Sequence, residues 1–334
     1  MKFYITSQSN SEPFKVPNEG PWLSFFEKFV DSGHSIVSLQ ENPDVIVFMN
    51  NHPRLLKKIK RENWGVKKVL VMWEPKIARS SNFGKYIHEF DYVFSPSPLW
   101  ISGKKVSYFS WPQGPKVSGN SPLVDWKLRE DKVLLFQSNK FSFAKGELYS
   151  LRREVLQKCH ESLILYGKNW NNRRQTVVEL VKSLLRHLSW GKLTDFSFPK
   201  KVFINSHNYG GYVNDKMELL GKTKYSLVIE NSANYVSEKL FEAAVTGNVS
   251  IYVGPPLELF GIPKIAIQVQ PNVESICKAI RTIRENDLEV HKVRENLEVF
   301  LSSKQYLEMQ NDRVLANLAA SVIEKVKEDE ISVS

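Results

Sequence analysis

The chain has 334 residues, of which 42% are hydrophobic, 25% charged and 12% aromatic. This composition excludes an intrinsically disordered protein, and the length suits two domains of ordinary size better than one. The formal net charge of +10 favours an anionic partner, such as a nucleotide, a phosphorylated glycan, a nucleic acid or acidic lipid headgroups.

The N-terminal third alternates short apolar segments with amphipathic ones. Apolar runs predict strands at 2–7, 34–39, 44–49, 67–73, 91–97 and 105–111. Helical periodicity predicts helices at 20–33 and 52–64. The alternation indicates an α/β domain, predicted at 1–115, in which helices cover both faces of a mostly parallel sheet.

The early residues lack the apolar run of a secretory signal, and no stretch approaches the ~20 apolar residues that span a bilayer. We therefore expect a cytoplasmic protein. The predicted helix 52–64 carries a run of basic residues, namely Arg54, Lys57, Lys58, Lys60 and Arg61. Most such faces are simply solvated, and the functional alternative is peripheral contact with an anionic membrane surface or an acidic glycan.

Glu74 follows the predicted strand 67–73 and precedes Pro75. The carboxyl end of a buried strand is where catalytic residues of α/β proteins collect, because the loops that bind ligands start there. Glu74 is therefore a candidate catalytic carboxylate. The alternative interpretation is a solvated loop residue before a proline.

A stretch from Pro112 to Arg129 is rich in Pro, Gly and Ser, and we predict an interdomain linker at 116–130. A second α/β alternation predicts a domain at 131–290, followed by an amphipathic extension, 291–334, that is long enough to pack back across both domains. The predicted strands are 132–139, 162–168, 225–231, 249–254 and 266–269, and the predicted helices are 145–159, 174–188, 237–247 and 273–286.

Glu238 and Lys239 lie side by side at the start of the predicted helix 237–247, with Ser237 as the expected N-cap. A helix N-terminus offers unpaired N–H groups and a partial positive charge, which together favour an anion. Lys239 would add a full charge for a phosphate, and Glu238 could accept hydrogen bonds from ribose hydroxyls. The pair is typical of a sugar-nucleotide site, although Glu–Lys pairs at helix starts are also common on solvated surfaces.

The segment from Tyr225 to Pro256 resembles the donor-binding motif of the α1,3-fucosyltransferases, glycosyltransferase family 10. The matching residues are Glu230, Asn231, Ser232, Tyr235, Val236, Glu238, Lys239, Leu240, Gly247, Val249, Tyr252 and Gly254. The segment departs from the motif at Ser237, where Thr is usual, at Ser250, where Pro is usual, and in its short spacer between Ser232 and Tyr235. Outside this segment the resemblance rests on element order and two short stretches.

The resemblance implies a GT-B architecture of two Rossmann-like domains with a cleft between them. The C-terminal domain would bind GDP-fucose and the N-terminal domain the glycan acceptor. Glu238 would then bind the ribose and Lys239 the diphosphate, with further donor-binding residues at Glu230, Asn231 and Tyr235.

Members of the family have a second cationic residue at the donor site, which follows a Ser-Asn pair at the end of the first strand of the donor domain. Ser138 and Asn139 match that pair, and the cation position falls on Lys145, with Lys140 as the alternative. Lysine would still neutralise a phosphate, but it lacks the bidentate geometry of the arginine found in many members.

The family also has an acidic residue at the strand end occupied here by Glu74, followed by a Phe-Asp-Tyr element that Phe90, Asp91 and Tyr92 match. The resemblance therefore implies that Glu74 is the general base of an inverting transfer. Glu89 and Asp91 are the next carboxylates for that role.

Cys159 and Cys277 are distant in sequence and have no CxxC or metal-ligand spacing, so neither a disulfide framework nor a zinc site is expected. A reducing compartment is the simpler inference. Within the two predicted domains there is no Asp-x-Asp motif to hold a metal on a diphosphate. We therefore expect no metal and no cofactor beyond the donor substrate, with lysines and a helix N-terminus stabilising the leaving diphosphate.

These observations predict an inverting fucosyltransferase of bacterial type that acts on lipopolysaccharide or capsule precursors. One alternative is an enzyme of the same fold that uses another nucleotide sugar, because the motif binds the nucleotide more than the sugar ring. An alternative of another class is a basic nucleic-acid-binding protein, motivated by the charge of +10. The sequence has no RNP motif and no zinc-finger pattern, so a nucleic-acid partner is not expected.

Overall fold

The computed structural model describes residues 1–100, 105–110, 125–190, 195–204 and 208–333. The chain divides into two compact units, the first formed by Met1–Pro112 with Glu308–Ser334 and the second by Gln113–Leu307. Most of the predicted linker 116–130 falls on residues 111–124, which lie outside the described residues. The bounds predicted for the domains stay predictions.

The first unit contains a six-stranded sheet in which every pairing is parallel. In chain order the strands are β1 (Lys2–Ile5), β2 (Ser35–Ile36), β3 (Val45–Met49), β4 (Lys67–Val71), β5 (Tyr92–Ser95) and β6 (Val106–Tyr108). Their spatial order is β2-β1-β3-β4-β5-β6. All five residues of β3 are buried, as expected for a central parallel strand covered on both faces.

Helices cover the two faces of this sheet. One face packs against α1 (Pro21–Asp31) and α10 (Asn311–Val333), and the other packs against α2 (Pro53–Arg61). Phe25 and Phe29 of α1 are fully buried, and burial of such a side chain contributes about 1.5–3 kcal/mol. Helix α1 starts at Pro21, whose fixed φ suits a first helical position.

The second unit contains another six-stranded parallel sheet, in the order β12-β11-β10-β7-β8-β9. Its strands are β7 (Glu130–Phe136), β8 (Leu163–Tyr166), β9 (Tyr209–Gly211), β10 (Thr223–Ile229), β11 (Val249–Val253) and β12 (Ile267–Gln268). Its helices are α3 (Tyr149–Lys158), α4 (Arg173–Trp190), α5 (Lys216–Lys222), α6 (Glu238–Val245), α7 (Val273–Thr282), α8 (Asp287–Leu301) and α9 (Lys304–Glu308). This strand order is that of a Rossmann fold, with its topological switch point between β7 and β10.

Most of the predicted elements are confirmed, since each predicted strand and helix overlaps one in the structure. Strand β9 was not predicted, because Tyr209–Gly211 has only three residues, two of them glycine, which is depleted in strands. Among the described helices, none is both long and apolar enough to cross a bilayer.

The cysteines differ from the expectation. Cys159, which follows α3, and Cys277, in α7, form a disulfide with their Cα atoms 6.0 Å apart. The prediction of no disulfide is therefore wrong, and the reducing compartment inferred from it loses its support. The pairing could not be read from the sequence, because 118 residues separate the two positions and only the packing of α3 against α7 brings them together.

Candidate active site

The candidate site of the second unit lies at the carboxyl edge of its sheet, at the switch point between β7 and β10. Gln137 follows β7 and donates from Nε2 to the Ile229 carbonyl oxygen, at 3.0 Å. Glu230 follows β10, and its backbone N–H donates to the Val253 carbonyl oxygen at 2.8 Å. Ligands of open α/β sheets bind beyond the strands at this position, so the polar residues that follow β7 and β10 are the relevant ones.

Glu230 is fully buried and anchors the start of α6. Its Oε1 accepts from the Ser237 backbone N–H at 2.8 Å, and its Oε2 accepts from Ser237 Oγ at 2.6 Å. The expected N-cap position of Ser237 is confirmed, but its hydroxyl makes no capping hydrogen bond to α6. The carboxylate of Glu230 therefore orients the helix N-terminus from inside the unit.

Lys239 is held against this anchor. Its Nζ donates to Ser237 Oγ at 2.7 Å and lies 3.5 Å from Glu230 Oε2, while the side chain keeps 19% of its surface exposed. A lysine next to a fully buried carboxylate loses little freedom when it binds a further anion, because its position is already fixed. The geometry therefore presents a preorganised ammonium group at the helix start.

Glu238 points further outwards, with 43% of its side chain exposed. Burial on its own would raise the pKa of this carboxyl, but the nearby cations Lys239, Lys216 and Lys140 outweigh it and hold the pKa below its usual range. Glu238 is therefore an ionised acceptor, which is the form that hydroxyl groups bind. Lys140, the alternative second cation, is thus one of the charges that lower the pKa of Glu238.

Lys216, in the first turn of α5, was missed by sequence reasoning. Its Nζ forms an ion pair with Glu242 of α6, whose pKa is raised by burial despite the lysine. Lys216 and Lys239 both line a pocket against the sheet face, with Gln137 on its wall. One signal was present, since a cation at a helix N-terminus is disfavoured by the helix dipole and needs another reason.

Two buried arginines of α3 were also missed. Arg152 Nη2 donates to the Ile229 carbonyl oxygen at 2.7 Å and to Asn231 Oδ1 at 2.9 Å. Arg153 Nη1 donates to the Lys140 carbonyl oxygen at 2.8 Å, and burial lowers its pKa to about 10. Their side chains hold the loops after β7 and β10 in place, which no local sequence pattern revealed.

The structure brings Asn231 and Tyr235 together, since Asn231 Nδ2 donates to the Tyr235 hydroxyl. It places Ser138 and Asn139 directly after β7, and the Asn139 backbone N–H donates to the Lys168 carbonyl oxygen at 2.9 Å. Lys145 is exposed in the following loop, where its backbone N–H donates to the Asp195 carbonyl oxygen at 2.8 Å. The ligand-binding roles of these residues stay predictions.

In the first unit, Glu74 lies just beyond the carboxyl end of β4 and is half-buried. Its backbone is held by two asparagines that are fully buried. The Glu74 N–H donates to Asn50 Oδ1 at 2.9 Å, and Asn82 Nδ2 donates to the Glu74 carbonyl oxygen at 3.0 Å and to Asn50 Oδ1 at 2.8 Å. The loop that carries the proposed base is therefore fixed from both sides.

Asn50 is suited to this position because it follows β3 with a φ of 73°, in the left-handed region that asparagine tolerates. Asn51 extends the network, since its backbone N–H donates to Asn82 Oδ1 at 2.7 Å. Sequence reasoning missed all three asparagines. The available signal was a pair of asparagines between an apolar strand and a helix that begins at Pro53.

His52 lies next to this network and is neutral. Arg79 Nη2 donates to His52 Nδ1 at 2.9 Å, so Nε2 carries the proton and donates to the Ser7 carbonyl oxygen at 3.0 Å. Burial, with a contribution from the Arg79 charge, lowers the pKa of His52 to about 4. The loops after β1, β3 and β4 are thereby joined by polar contacts at one edge of the sheet.

The alternative carboxylates lie elsewhere. Glu89 and Asp91 precede β5, so they lie towards the amino end of that strand, whereas Glu74 follows the carboxyl end of the parallel neighbour β4. Asp91 Oδ2 accepts from the Lys68 backbone N–H at 2.7 Å, and Glu89 forms an ion pair with Lys60 at 3.6 Å. Among the described residues, no group of three His, Cys, Asp or Glu side chains is placed to hold a metal ion.

Comparisons with known proteins agree with the predicted fold. No family profile matches the sequence. A fucosyltransferase-like protein of Arabidopsis thaliana is 34% identical over 98 residues, which cover 26% of this chain and 19% of that protein. The chain therefore matches about a fifth of the length of this relative.

Solved structures match nearly the whole chain at low identity. HepE of Anabaena, crystallised with UDP and glucose, has a TM-score of 0.56 and 11% identity over 97% of this chain and 100% of its own. An α1,3-fucosyltransferase has a TM-score of 0.52 and 15% identity over 88% of this chain and 80% of its own. A glycosyltransferase of Rickettsia africae has a TM-score of 0.52 and 12% identity over 94% of this chain and 84% of its own.

These likenesses confirm two predictions. The fold is that of GT-B proteins, with two Rossmann-like units. The predicted resemblance to fucosyltransferases is confirmed as a resemblance, since it recurs in the Arabidopsis relative and in a solved structure.

Proposed function

We propose that this chain is an inverting glycosyltransferase that moves L-fucose from GDP-fucose to a hydroxyl group of a glycan acceptor. The observation that carries the proposal is Lys239, held 3.5 Å from the buried carboxylate of Glu230 at the N-terminus of α6. A helix N-terminus with a fixed ammonium group is a site for a diphosphate, and phosphate bonds to lysine are charge-assisted.

In this proposal each residue has one role. Lys239 binds the diphosphate, with Lys145 or Lys140 as the second cation, and Glu238 accepts hydrogen bonds from the ribose hydroxyls. Asn231 and Tyr235 complete the donor site through their mutual hydrogen bond.

The chemical step is a single displacement. The acceptor oxygen attacks the anomeric carbon as the bond from that carbon to the diphosphate oxygen breaks, which inverts the configuration. The Glu74 carboxylate takes the proton of the acceptor hydroxyl. The electron pair of the broken bond stays on the diphosphate, whose charge the lysines and the α6 N-terminus stabilise. No metal is assigned a role.

A second candidate is the same transfer from a UDP-sugar. It is favoured by the likeness to HepE, whose structures hold UDP with glucose, or UDP-glucose. The residues of the α6 site contact phosphate and ribose in this proposal, and both groups are common to the two nucleotides. These contacts would therefore be the same for a GDP-sugar and a UDP-sugar, and they do not select the nucleobase or the sugar.

A thermal-shift panel of GDP-fucose, GDP-mannose, UDP-glucose and a dTDP-sugar tests the proposal. A ligand present at 100 times its dissociation constant stabilises the folded state by about 2.7 kcal/mol, and we expect GDP-fucose to give the largest shift. A larger shift with UDP-glucose would replace the first candidate by the second. No shift with any nucleotide, together with salt-sensitive retention on DNA, would instead support a nucleic-acid-binding protein.

A further inference from the structure

Helix α4 of the second unit exposes several apolar residues and buries several polar ones, while Leu180 and Leu184 are half-buried. The side chains of Val177, Val181, Leu185 and Leu188 are 45%, 47%, 58% and 59% exposed, respectively. A surface helix of a globular protein normally turns such residues towards the core. An outward apolar stripe on α4 therefore needs a reason other than folding.

The exposed residues form one continuous stripe. Val177, Val181, Leu185 and Leu188 follow the spacing of residues that share a helix face, and Val178, 38% exposed, lies beside them. At 3.6 residues per turn, the five side chains fall within an arc of about 100°. We call this set the α4 stripe.

The opposite side of α4 is joined to the unit by polar groups. Thr176, Ser183 and His187 are buried. Ser183 Oγ donates to the Phe141 carbonyl oxygen at 2.9 Å, and the His187 ring packs on Phe196 with centroids 5.3 Å apart. These contacts fix the rotation of the helix, so the stripe is held outwards.

Two exposed aromatic side chains lie near the inward side of α4. Phe198, which is 75% exposed, packs on Phe196 with ring centroids 4.9 Å apart and so lies near the His187 part of α4. Phe203, 57% exposed, lines a polar cavity together with Thr176 at the other end of the helix. Because these contacts are with the inward side of the helix, the two rings are not counted in the α4 stripe.

The charged residues around the stripe are mostly basic. The exposed cations of α4 are Arg173, Arg174, Lys182 and Arg186, and its one acidic residue is Glu179, which pairs with Lys182 at 3.2 Å. By the same helical spacing, Arg174 falls within the arc of the stripe at the start of the helix, Lys182 lies beside one border, and Arg186 lies further round the helix. Apolar residues flanked by arginine and lysine match an anionic lipid surface, which offers negative headgroups above hydrocarbon.

We propose that the α4 stripe is a membrane-docking surface that lies in the interface of an anionic lipid bilayer. The valine and leucine side chains enter the acyl boundary, and the flanking cations contact the headgroups. This surface differs from the basic helix singled out in the sequence, α2. In α2 the apolar residues Leu55, Leu56 and Ile59 are buried, so that helix offers charge without an apolar face.

Co-sedimentation with vesicles tests the proposal on the full chain. Vesicles of phosphatidylcholine mixed with phosphatidylglycerol are compared with vesicles of phosphatidylcholine alone. We expect binding to the mixed vesicles, weaker binding to the neutral ones, and partial release at high salt, because the apolar contribution remains. Absence of binding to both kinds of vesicle would overturn the proposal.

Two double variants locate the surface. Val181→Asp with Leu185→Asp should weaken vesicle binding by on the order of tenfold or more, since two inserting side chains become charged. The matched control is Leu288→Asp with Val299→Asp, which changes the net charge equally at exposed positions of α8, 82% and 73% exposed. The control should bind as the wild type does. Equal loss in both variants would show that only the overall charge matters and would contradict the proposal.

A charge-neutral variant separates the two contributions. Val181→Ser with Leu185→Ser should also weaken binding, because it removes apolar surface without adding charge. Unchanged binding by this variant would contradict an inserting stripe. Light scattering tests whether a second copy of the chain occupies the stripe instead. If the wild type is a dimer that binds no vesicles, and the two α4 aspartates convert it to a monomer, the stripe is a contact between two copies of the chain.

Discussion

Glu74 and Lys239 are both positioned by polar groups that are themselves buried. Glu74 is held through its backbone by Asn50 and Asn82, which fixes the loop that carries it. Lys239 is held through its ammonium group by Ser237 and the fully buried Glu230. Such support fixes a functional side chain before its ligand arrives, which lowers the entropic cost of binding.

Glu74→Gln tests the role of the base. The amide keeps the volume and a hydrogen-bonding group but cannot take the proton, so the transfer rate should fall by about 10² to 10⁴-fold. Nucleotide affinity, measured by calorimetry, should barely change, because Glu74 belongs to the other unit from the donor site.

The control for that variant is Glu89→Gln, which removes a carboxylate paired with Lys60 before β5. Its transfer rate should stay close to that of the wild type. A folded Glu74→Gln protein with an intact turnover number would exclude Glu74 as the base, and equal loss of nucleotide affinity would assign it to the donor site or to the fold.

His52 predicts a pH dependence of stability. Its pKa is lowered from 6.5 to about 4 in the folded protein, so between these values the unfolded chain binds a proton that the folded chain does not. The free energy of unfolding should therefore decrease as the pH falls from 6.5 to about 4, by up to about 1.4 kcal/mol per pH unit. Urea unfolding at several pH values measures this slope.

His52→Asn should flatten that slope, because the variant has no imidazole to protonate in the unfolded chain. His291→Asn is the matched control, since that side chain is 66% exposed and pairs with Glu295 on the helix surface. An unchanged slope in His52→Asn would show that other groups govern the acid sensitivity.

At the scale of elements, the packing of α10 against α1 connects the last helix of the chain to the first unit. Leu318 and Val322 of α10 are buried in the same core as Phe25 and Phe29 of α1. The end of the chain is therefore part of the core of the first unit, and its removal would expose a sheet face.

Leu318→Ala should destabilise the first unit by about 2–5 kcal/mol, because it leaves a cavity in that core. Leu288→Ala is the matched control, since Leu288 is 82% exposed, and its effect should stay within about 0.5 kcal/mol. Thermal unfolding followed by circular dichroism compares the two. Similar melting temperatures for both variants would contradict the packing of α10.

The disulfide joins α3 to α7 in the second unit. Cys277→Ser should cost about 2–4 kcal/mol of stability, because the cross-link restricts the unfolded chain. Thiol titration of the unfolded, unreduced wild type should find no free thiol. Two reactive thiols per chain would show that the cysteines are not bonded.

For the molecule as a whole, the sequence was sufficient for the architecture. Strands such as β3 and β10 are buried on both faces, so they appear as continuous apolar runs with helices between them. The start of α6 was likewise predictable, because Ser237, Glu238 and Lys239 begin a helical pattern after such a strand and the loop 230–236. Two α/β units follow from these elements and their order, whereas the GT-B architecture was implied by the resemblance of the segment from Tyr225 to Pro256.

The supporting residues were not predictable in the same way. Asn50, Asn82 and Arg152 act on backbone groups that are distant in the chain, and only tertiary packing decides which side chain meets which carbonyl. The sequence predicted a helix at 174–188 but not the α4 stripe, since periodicity shows that a face exists but not which face is buried.

Calorimetric titration of Lys239→Ala with GDP tests the central claim most directly, with Lys222→Ala as the control, since Lys222 is 60% exposed and pairs with Glu218 on α5. A charge-assisted bond to phosphate contributes about 1.5–3 kcal/mol. We therefore expect Lys239→Ala to bind GDP roughly tenfold to more than a hundredfold more weakly than the wild type and the control. Unchanged affinity in a folded Lys239→Ala protein would contradict a donor site at the start of α6.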